Sequence, residues 1–174
     1  MDLGLKGKVA IVTGGSRGIG WHTARVLAEE GCAVGLCARG ESDVEEALER
    51  LRATGATAFG RVLDVAEREA LEGWVSAAAD ELGGLDIVVP NVSALGGGEG
   101  EEGWRRSFDV DVMHTVRTVE AALPHLKESD AGSVVIVSSV AAREAGPFEG
   151  AYGPVKAALI RYAKGLATQL APDG

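Results

Sequence analysis

The stretch KVAIVTGGSRGIG, residues 8–20, decides the fold. It begins with a continuous apolar run, passes through a glycine-rich turn and enters the amphipathic pattern of residues 18–31. A continuous apolar run predicts a strand buried on both faces, and Gly31 is a typical end for the helix that follows. The segment therefore predicts a strand–turn–helix unit at the beginning of the chain.

The same alternation continues through the rest of the chain. Further strands are predicted at 32–39, 56–65, 85–93 and 132–140, and further helices at 42–55, 67–83, 101–128 and 151–171. Ser42 is the predicted cap and Gly55 the predicted end of the second helix, and Pro124 is expected to kink the long helix or end it early. The glycine-rich, acidic segment 96–103 predicts a loop. The pattern predicts an α/β fold: a doubly wound (Rossmann-type) parallel sheet with helices on both faces, in one domain spanning residues 1–174.

The composition is that of a globular protein, and the charge limits its partners. The 174 residues are 46% hydrophobic and carry a net charge of −9, so neither nucleic acid nor an anionic membrane is an expected partner. No secretory signal or membrane-spanning run is visible, which makes a cytoplasmic location the expectation. Cys32 and Cys37 are predicted to be reduced core thiols. His22, His114 and His125 have no partner at metal-ligand spacing, so we expect no metal site and predict packing or surface roles for them.

The turn TGGSRGIG, residues 13–20, has the features of an anion-binding loop. Gly14 can adopt the backbone angles of a tight turn. A side chain at Gly18 or Gly20 would keep a pyrophosphate away from the helix N-terminus, whose free N–H groups and partial positive charge favour anions. The glycine spacing is Gly-x3-Gly-x-Gly, and no Gly-Lys-Ser/Thr follows as it would in a P-loop. The loop therefore predicts a dinucleotide site.

Two arginines bear on which dinucleotide binds. Arg17 lies within the loop, and Arg39 ends the second predicted strand, where an NAD-selective fold has an acidic residue. Glu41 comes only after the strand. Because two guanidinium groups suit a 2′-phosphate, NADP(H) is favoured over NAD(H).

A tyrosine and a lysine lie four residues apart in AYGPVKAAL, residues 151–159. On the predicted helix, Tyr152 and Lys156 share one face. A nearby lysine cation favours the phenolate, so Tyr152 could donate a proton to a carbonyl or accept one from an alcohol near neutral pH. An amphipathic helix surface would give the same spacing, but the dinucleotide loop upstream favours the catalytic interpretation.

These motifs, in this order, resemble the short-chain dehydrogenase/reductase family in its compact single-domain form. The matching pieces are TGGSRGIG at 13–20, LDV at 63–65, a serine pair ending at Ser139 thirteen residues before Tyr152, and YGPVK at 152–156. The resemblance implies an oxidoreductase that interconverts a ketone, for example a 3-oxoacyl thioester, and a secondary alcohol, with the hydride supplied by the cofactor. The cofactor contacts it implies are Gly14, Ser16, Arg17, Gly18, Ile19, Gly20, Arg39, Asp64, Val65, Asn91, Tyr152 and Lys156.

The resemblance also implies individual roles. Tyr152 would be the acid/base, Lys156 would hydrogen-bond the nicotinamide ribose, and Ser139 would hydrogen-bond the substrate oxygen. Asp64 would hydrogen-bond the adenine amino group. By the same resemblance, the long helix and the last helix form a subunit interface, so a homo-oligomer is expected.

Two positions depart from the family pattern. The segment PNVS, residues 90–93, replaces an Asn-Asn-Ala-Gly run; it keeps Asn91 and has Ser93 where a glycine is usual, which would crowd the backbone near the cofactor. Asp111 stands where the family has an asparagine that holds a proton-relay water. Either an ionised Asp111 pairs with Lys156 and weakens its effect on Tyr152, or a buried, protonated Asp111 donates a hydrogen bond. Asp111→Asn is expected to retain or raise turnover.

Family members usually continue past the position of Gly174 with further strands, a segment that contacts the nicotinamide and a substrate lid. Without them, the fifth strand would be an open sheet edge and half of the substrate pocket would be missing. A non-catalytic dinucleotide-binding or assembly module of the same fold is therefore the alternative hypothesis. A truncated product with no independent function is a weaker one.

Overall fold

The computed structural model describes residues 3–144 and 150–173. Its elements alternate as the sequence pattern predicts. The strands are β1 Val9–Thr13, β2 Ala33–Ala38, β3 Ala58–Val62, β4 Ile87–Val89 and β5 Ser133–Val134, and the helices are α1 Gly18–Glu29, α2 Glu41–Ala53, α3 Arg68–Leu82, α4 Gly100–Ser107, α5 His114–Glu128 and α6 Tyr152–Leu170. A π-helical segment, Phe108–Met113, joins α4 to α5, and 3-10 turns occupy Val140–Ala142 and Ala171–Asp173.

The five strands form one parallel sheet in the order β3-β2-β1-β4-β5. The chain runs outward from β1 to β3, then returns to the other side of β1 and continues to β5. The strand order therefore reverses between β1 and β4, and in sheets of this kind ligands bind beyond the carboxyl ends of the strands at such a reversal. This doubly wound topology confirms the predicted fold class.

Both faces of the sheet are covered, because neighbouring residues of each strand point to opposite sides. From β1, Ala10 and Val12 pack with α1 and α2, whereas Val9 and Ile11 pack with α3 and α5. The larger side chains on the α3 side include Trp74, which is completely buried. No helix in the described ranges is long and apolar enough to cross a bilayer.

Several predicted boundaries differ from the structure. Gly40 precedes the first residue of α2, so Ser42 lies inside the first turn and the predicted cap is wrong. Helix α4 already begins at Gly100, so the loop predicted over 96–103 ends four residues early. Pro124 lies inside α5, which continues to Glu128, because a helix held by its neighbours tolerates the loss of one N–H donor. Strand β5 is shorter than predicted, although Val137 N still donates to Pro90 O across the sheet.

Candidate active site

The glycine loop between β1 and α1 lies at the carboxyl edge of the sheet. Gly14 N donates to Cys37 O at 2.8 Å, which fixes the loop to the end of β2. Arg17 precedes α1 in an extended conformation, its side chain does not cap the helix, and the first turn contains no acidic residue. Among the described residues, no side chain therefore competes with an anionic ligand for the first amides of α1.

Two glycines of this loop have different physical reasons to be glycine. A Cβ at Gly20 would overlap the carbonyl oxygen of Gly14 and lie 2.6 Å from Asn91 Nδ2, so the chain's own packing excludes a side chain there. That a side chain at Gly20 would also keep a pyrophosphate away stays a prediction. Gly18 has a φ of +56°, and a Cβ there would meet nothing within 4 Å. The open cradle is at Gly18, beside the exposed Ile19 and Arg17 and the half-buried Ser16, and it fits a pyrophosphate.

A buried hydrogen-bond chain joins this loop to β4 and to the long helix. Asn91 Nδ2 donates to Thr13 O at 3.0 Å, and Asn91 N donates to Thr13 Oγ1 at 2.9 Å. Thr13 Oγ1 lies 3.0 Å from His114 Nε2, and His114 Nδ1 lies 2.6 Å from Val110 O. Because a carbonyl only accepts, Nδ1 carries the imidazole proton, and the Thr13 hydroxyl donates to Nε2.

His114 stays neutral in this chain of bonds. Burial lowers the pKa of the imidazole from 6.5 to about 4, and the hydrogen bond to Val110 only partly opposes this effect. The ends of β1 and β4 are thus tied together beneath the loop by a threonine, an asparagine and a neutral histidine. Sequence reasoning assigned His114 to packing or the surface; its contact with Thr13, 101 residues away, is visible only in the fold.

Asp111 lies in the π-helical segment and is completely buried. Its Oδ2 accepts a hydrogen bond from Ala94 N at 2.9 Å, and its Oδ1 lies 3.0 Å from Lys156 Nζ. This second contact is an ion pair whose angle falls short of a hydrogen bond. Both oxygens face donors, as suits an ionised carboxylate. The geometry favours the first of the two alternatives, pairing with Lys156.

Lys156 lies on the face of α6 that also carries Tyr152. The residue is 2% exposed, and Nζ donates to Val137 O at 3.2 Å while it pairs with Asp111. Its Nζ lies 6.0 Å from the centroid of the half-buried Tyr152 ring. The cation is therefore held by the segment that follows β5 and by the π-helical segment, one helical turn after Tyr152 on α6.

Ser139 directly precedes a turn that packs on the first turn of α6. Its Oγ accepts a hydrogen bond from Ala141 N at 3.2 Å at the start of the Val140–Ala142 turn. A Cβ at Gly153 would lie 2.8 Å from Ala141 O, so this turn packs directly on the first turn of α6. Because Oγ serves as an acceptor, the hydroxyl proton remains available as a donor.

The glycine-rich loop after β4 packs next to Tyr152. A Cβ at Gly96 would lie 4.0 Å from Tyr152 Cβ, and a Cβ at Gly97 would lie 2.5 Å from Gly103 O and 2.8 Å from Ser107 Oγ. The loop is therefore pressed onto α4 next to the tyrosine. Ser93, which was expected to crowd the backbone, folds back locally, with Oγ accepting from Leu95 N at 3.0 Å.

The residues predicted for the adenosine end lie at the ends of β2 and β3. Arg39 Nη1 lies 4.0 Å from Asp64 Oδ2, and both side chains are largely exposed. Asp64 Oδ1 also accepts a hydrogen bond from Ala66 N at 3.0 Å. Val65 is buried in the core on the α3 side, which leaves its backbone as the part that could touch a ligand.

A parallel doubly wound sheet, an open glycine cradle at its strand-order reversal and a buried lysine beside a tyrosine define a nicotinamide-dependent oxidoreductase of the Rossmann type. The family model for short chain dehydrogenase matches residues 8–174. The chain belongs to the short-chain dehydrogenase/reductase family, which confirms the resemblance drawn from its motifs.

Relatives and solved structures are similar along nearly the whole chain. Isoepoxydon dehydrogenase of Penicillium expansum is 37% identical over 180 residues, which cover 100% of this chain and 69% of that protein. Dehydrogenase/reductase SDR family member 4 of Homo sapiens is 36% identical over 173 residues, 97% of this chain and 62% of that protein. The crystal structure of L-sorbose reductase from Gluconobacter frateurii, complexed with NADPH and L-sorbose, has a TM-score of 0.93 at 32% identity and covers 99% of this chain and 68% of that one.

A second solved structure, NAD+-bound xylitol dehydrogenase, has a TM-score of 0.92 at 29% identity and covers 98% of this chain and 67% of that one. The solved neighbours thus include both NADP- and NAD-bound proteins. The chain spans about two thirds of the length of these relatives.

Proposed function

We propose that the protein interconverts a ketone and a secondary alcohol with NADP(H), and that Tyr152 is the acid/base. The observation that carries this proposal is the buried Lys156, held between Val137 O and Asp111 with its ammonium 6.0 Å from the Tyr152 ring centroid. Burying a cation costs free energy unless the cation is paired. A buried, paired lysine next to the acidic phenol of Tyr152, on the same helix face, is typical of a functional site.

Each residue has a role in moving one proton. When bound, the nicotinamide cofactor supplies the hydride to the carbonyl carbon, or takes it from the carbinol carbon. Tyr152 gives its phenolic proton to the carbonyl oxygen during reduction and takes it back during oxidation. Lys156 stabilises the phenolate left behind, and the Ser139 hydroxyl donates a hydrogen bond to the oxygen that gains charge while keeping its own proton. In this proposal the substrate oxygen accepts hydrogen bonds from both Tyr152 and Ser139.

Replacement of Tyr152 tests the acid/base role. Tyr152→Phe removes only the hydroxyl, so we expect ketone reduction to fall by about 10² to 10⁴-fold while NADPH binding stays within about threefold. Tyr162→Phe, on the same helix, is the matched control and should keep full activity. Tight NADPH binding without turnover of any carbonyl by the unmutated protein would instead favour a non-catalytic binding module.

The preference for NADP(H) is proposed on Arg39. Its guanidinium is largely exposed at the end of β2, and its ion pair to Asp64 is loose at 4.0 Å, so it can turn to a 2′-phosphate. Arg39→Gln should raise the NADPH dissociation constant by about 10- to 100-fold and leave the NADH constant unchanged. Arg161→Gln, an exposed arginine on α6, controls for net charge. Equal affinity of the unmutated protein for NADH and NADPH would refute the preference.

A homo-oligomer is proposed through the long helix. Trp104 and Phe108 lie four residues apart, so they share one helix face, and each is about half exposed. Exposed large apolar side chains on one face support a subunit contact. Sedimentation should show a dimer or tetramer, and Trp104→Glu should shift it to monomer; a monomer at all concentrations would refute the idea.

A cytoplasmic location is proposed on the two thiols. Cys32 and Cys37 are free and buried, and burial raises the pKa of Cys37 to about 12. Thiols that remain unpaired are usual in a reducing compartment. Fractionation that recovers the protein in an extracytoplasmic fraction would refute this location.

A further inference from the structure

The three most exposed large apolar side chains of the described residues all belong to the loops of the candidate site. Leu95 is 79% exposed, Val140 is 71% exposed and Ile19 is 67% exposed. Leu95 lies in the loop after β4, Val140 directly follows Ser139, and Ile19 belongs to the glycine loop. Single exposed apolar residues are ordinary, whereas three on converging loops are typical of a site completed by an apolar ligand.

The backbone of Leu95 adopts a strained conformation. Its φ of +52° is the only positive value at a non-glycine residue in the described ranges. Glycine or asparagine adopts this left-handed conformation more readily, so a leucine there strains the backbone. Hydrogen bonds on both sides hold it there: Ala94 N donates to Asp111, and Gly97 N donates to Ala94 O at 3.0 Å. A leucine at a position that suits glycine indicates that its side chain has a use.

Val140 is held just as firmly on the other side of Tyr152. Its carbonyl accepts from Arg143 N at 2.9 Å and from Glu144 N at 3.1 Å, so the turn that carries it is fixed. The next residue, Ala141, packs against Gly153 in the first turn of α6, and Gly96, next to Leu95, lies against Tyr152 itself. The hydrogen-bonded segments that carry Leu95 and Val140 therefore both pack against the first turn of α6, which begins with the proposed acid.

We propose that Leu95 and Val140 are specificity-determining residues that bind the apolar substituent of the substrate, so that the protein acts on apolar ketones and their alcohols and not on polyols. This inference rests on the proposed function of Tyr152. The fold shared with L-sorbose reductase and xylitol dehydrogenase does not by itself determine the substrate of this chain. The choice follows from the apolar side chains that this chain displays.

Two nearly isosteric substitutions test the inference. Leu95→Asn keeps the size and suits the left-handed backbone, and Val140→Thr replaces one methyl by a hydroxyl. Val26→Thr, at an exposed position on α1, is the matched control. The substrates are benzylacetone and erythrulose, two open-chain ketones that differ in polarity. The measurements are kcat/KM with NADPH and, by calorimetry, the affinity of each ketone for the protein–NADP+ complex, which cannot reduce it.

We expect benzylacetone to be favoured over erythrulose by at least about tenfold in both measurements. Each site variant should reduce that ratio about three- to tenfold, and Val26→Thr should leave it unchanged. A preference for erythrulose, or a ratio that neither site variant changes, would overturn the inference while leaving the proposed function intact. If no ketone is reduced, the proposed function fails, and the calorimetric ratio alone then decides for or against an apolar site.

Discussion

Replacement of Asp111 by asparagine exchanges one oxygen of a buried carboxylate for an amide group. In the structure, one oxygen accepts from Ala94 N and the other pairs with Lys156. Asparagine has a single oxygen, so it can satisfy only one of these donors, and its NH2 group must face the other. An amide turned towards Lys156 would leave a buried cation unpaired, at about 3–5 kcal/mol, so the oxygen should stay on the lysine.

The cost then falls on the loop. Ala94 N loses its acceptor, and a buried N–H without a partner costs about 1–3 kcal/mol. For a chain of this size, that corresponds to a decrease in melting temperature of about 2–12 °C. Chemistry should respond in the opposite direction: without the negative charge, Lys156 favours the Tyr152 phenolate more strongly. We therefore expect Asp111→Asn to be less stable but to retain or raise turnover.

Thermal unfolding and steady-state kinetics of the same preparation separate the two effects. Asp109→Asn, at an exposed position two residues away in the π-helical segment, is the control and should change neither quantity. A loss of turnover greater than about tenfold, equivalent to about 1.4 kcal/mol, would contradict the reasoning. An unchanged melting temperature would show that the bond to Ala94 N contributes nothing.

Three further predictions concern the cofactor loop and the residues beneath it. Because burial lowers the pKa of His114 to about 4, the unfolded chain binds a proton at a higher pH than the folded chain does. The free energy of unfolding should therefore decline by up to about 3 kcal/mol as the pH falls from 6.5 to about 4. Urea unfolding of His114→Gln should lack this decline, and an equal decline in both proteins would refute the role of His114. Thr13→Val should lower the free energy of unfolding by at least about 2 kcal/mol, because Asn91 N and His114 Nε2 both lose their partner. Thr13→Ser keeps the hydroxyl and should lower it less. Equal urea midpoints for the two variants would disprove the hydrogen-bond chain. Gly20→Ala should destabilise the protein strongly, because the new methyl group clashes with Gly14. Gly18→Ala should lower the free energy of unfolding by only about 1 kcal/mol but weaken NADPH binding. Normal NADPH affinity in Gly18→Ala would exclude a pyrophosphate at that cradle.

Local patterns along the sequence were sufficient to predict the fold. The continuous apolar runs and the glycines after α1 and α2 identified the strands and the helix ends, because both depend on residues close together in the chain. The cap at Ser42 was predicted wrongly because residue type alone suggested it. In the structure Gly40 is the N-cap of α2, and no side chain of the described residues hydrogen-bonds there. The early start of α4 at Gly100 was missed because glycine has a low helix propensity, while the close packing of Gly97 and Gly98 onto Gly103 is a contact between segments.

The residues of the candidate site could be predicted from the sequence, but the contacts between them could not. Tyr152, Lys156 and Asp111 could be named from motifs, yet which oxygen of Asp111 faces Lys156 depends on the π-helical segment, and the sequence has no clear sign of that segment. Thr13 was not singled out and His114 was assigned to packing or the surface, because the two residues lie 101 positions apart and each alone looks like a packing residue. The strain at Leu95 is likewise a backbone property that only the folded loop reveals.

The central claim is that Tyr152 and a nicotinamide cofactor together reduce a ketone, and transfer of deuterium from labelled NADPH measures this most directly. The unmutated protein should place one deuterium on the carbinol carbon of the alcohol product, and Tyr152→Phe should do so at least about 10²-fold more slowly with unchanged NADPH affinity. Product without label, or equal rates of label transfer in the two proteins, would contradict the account.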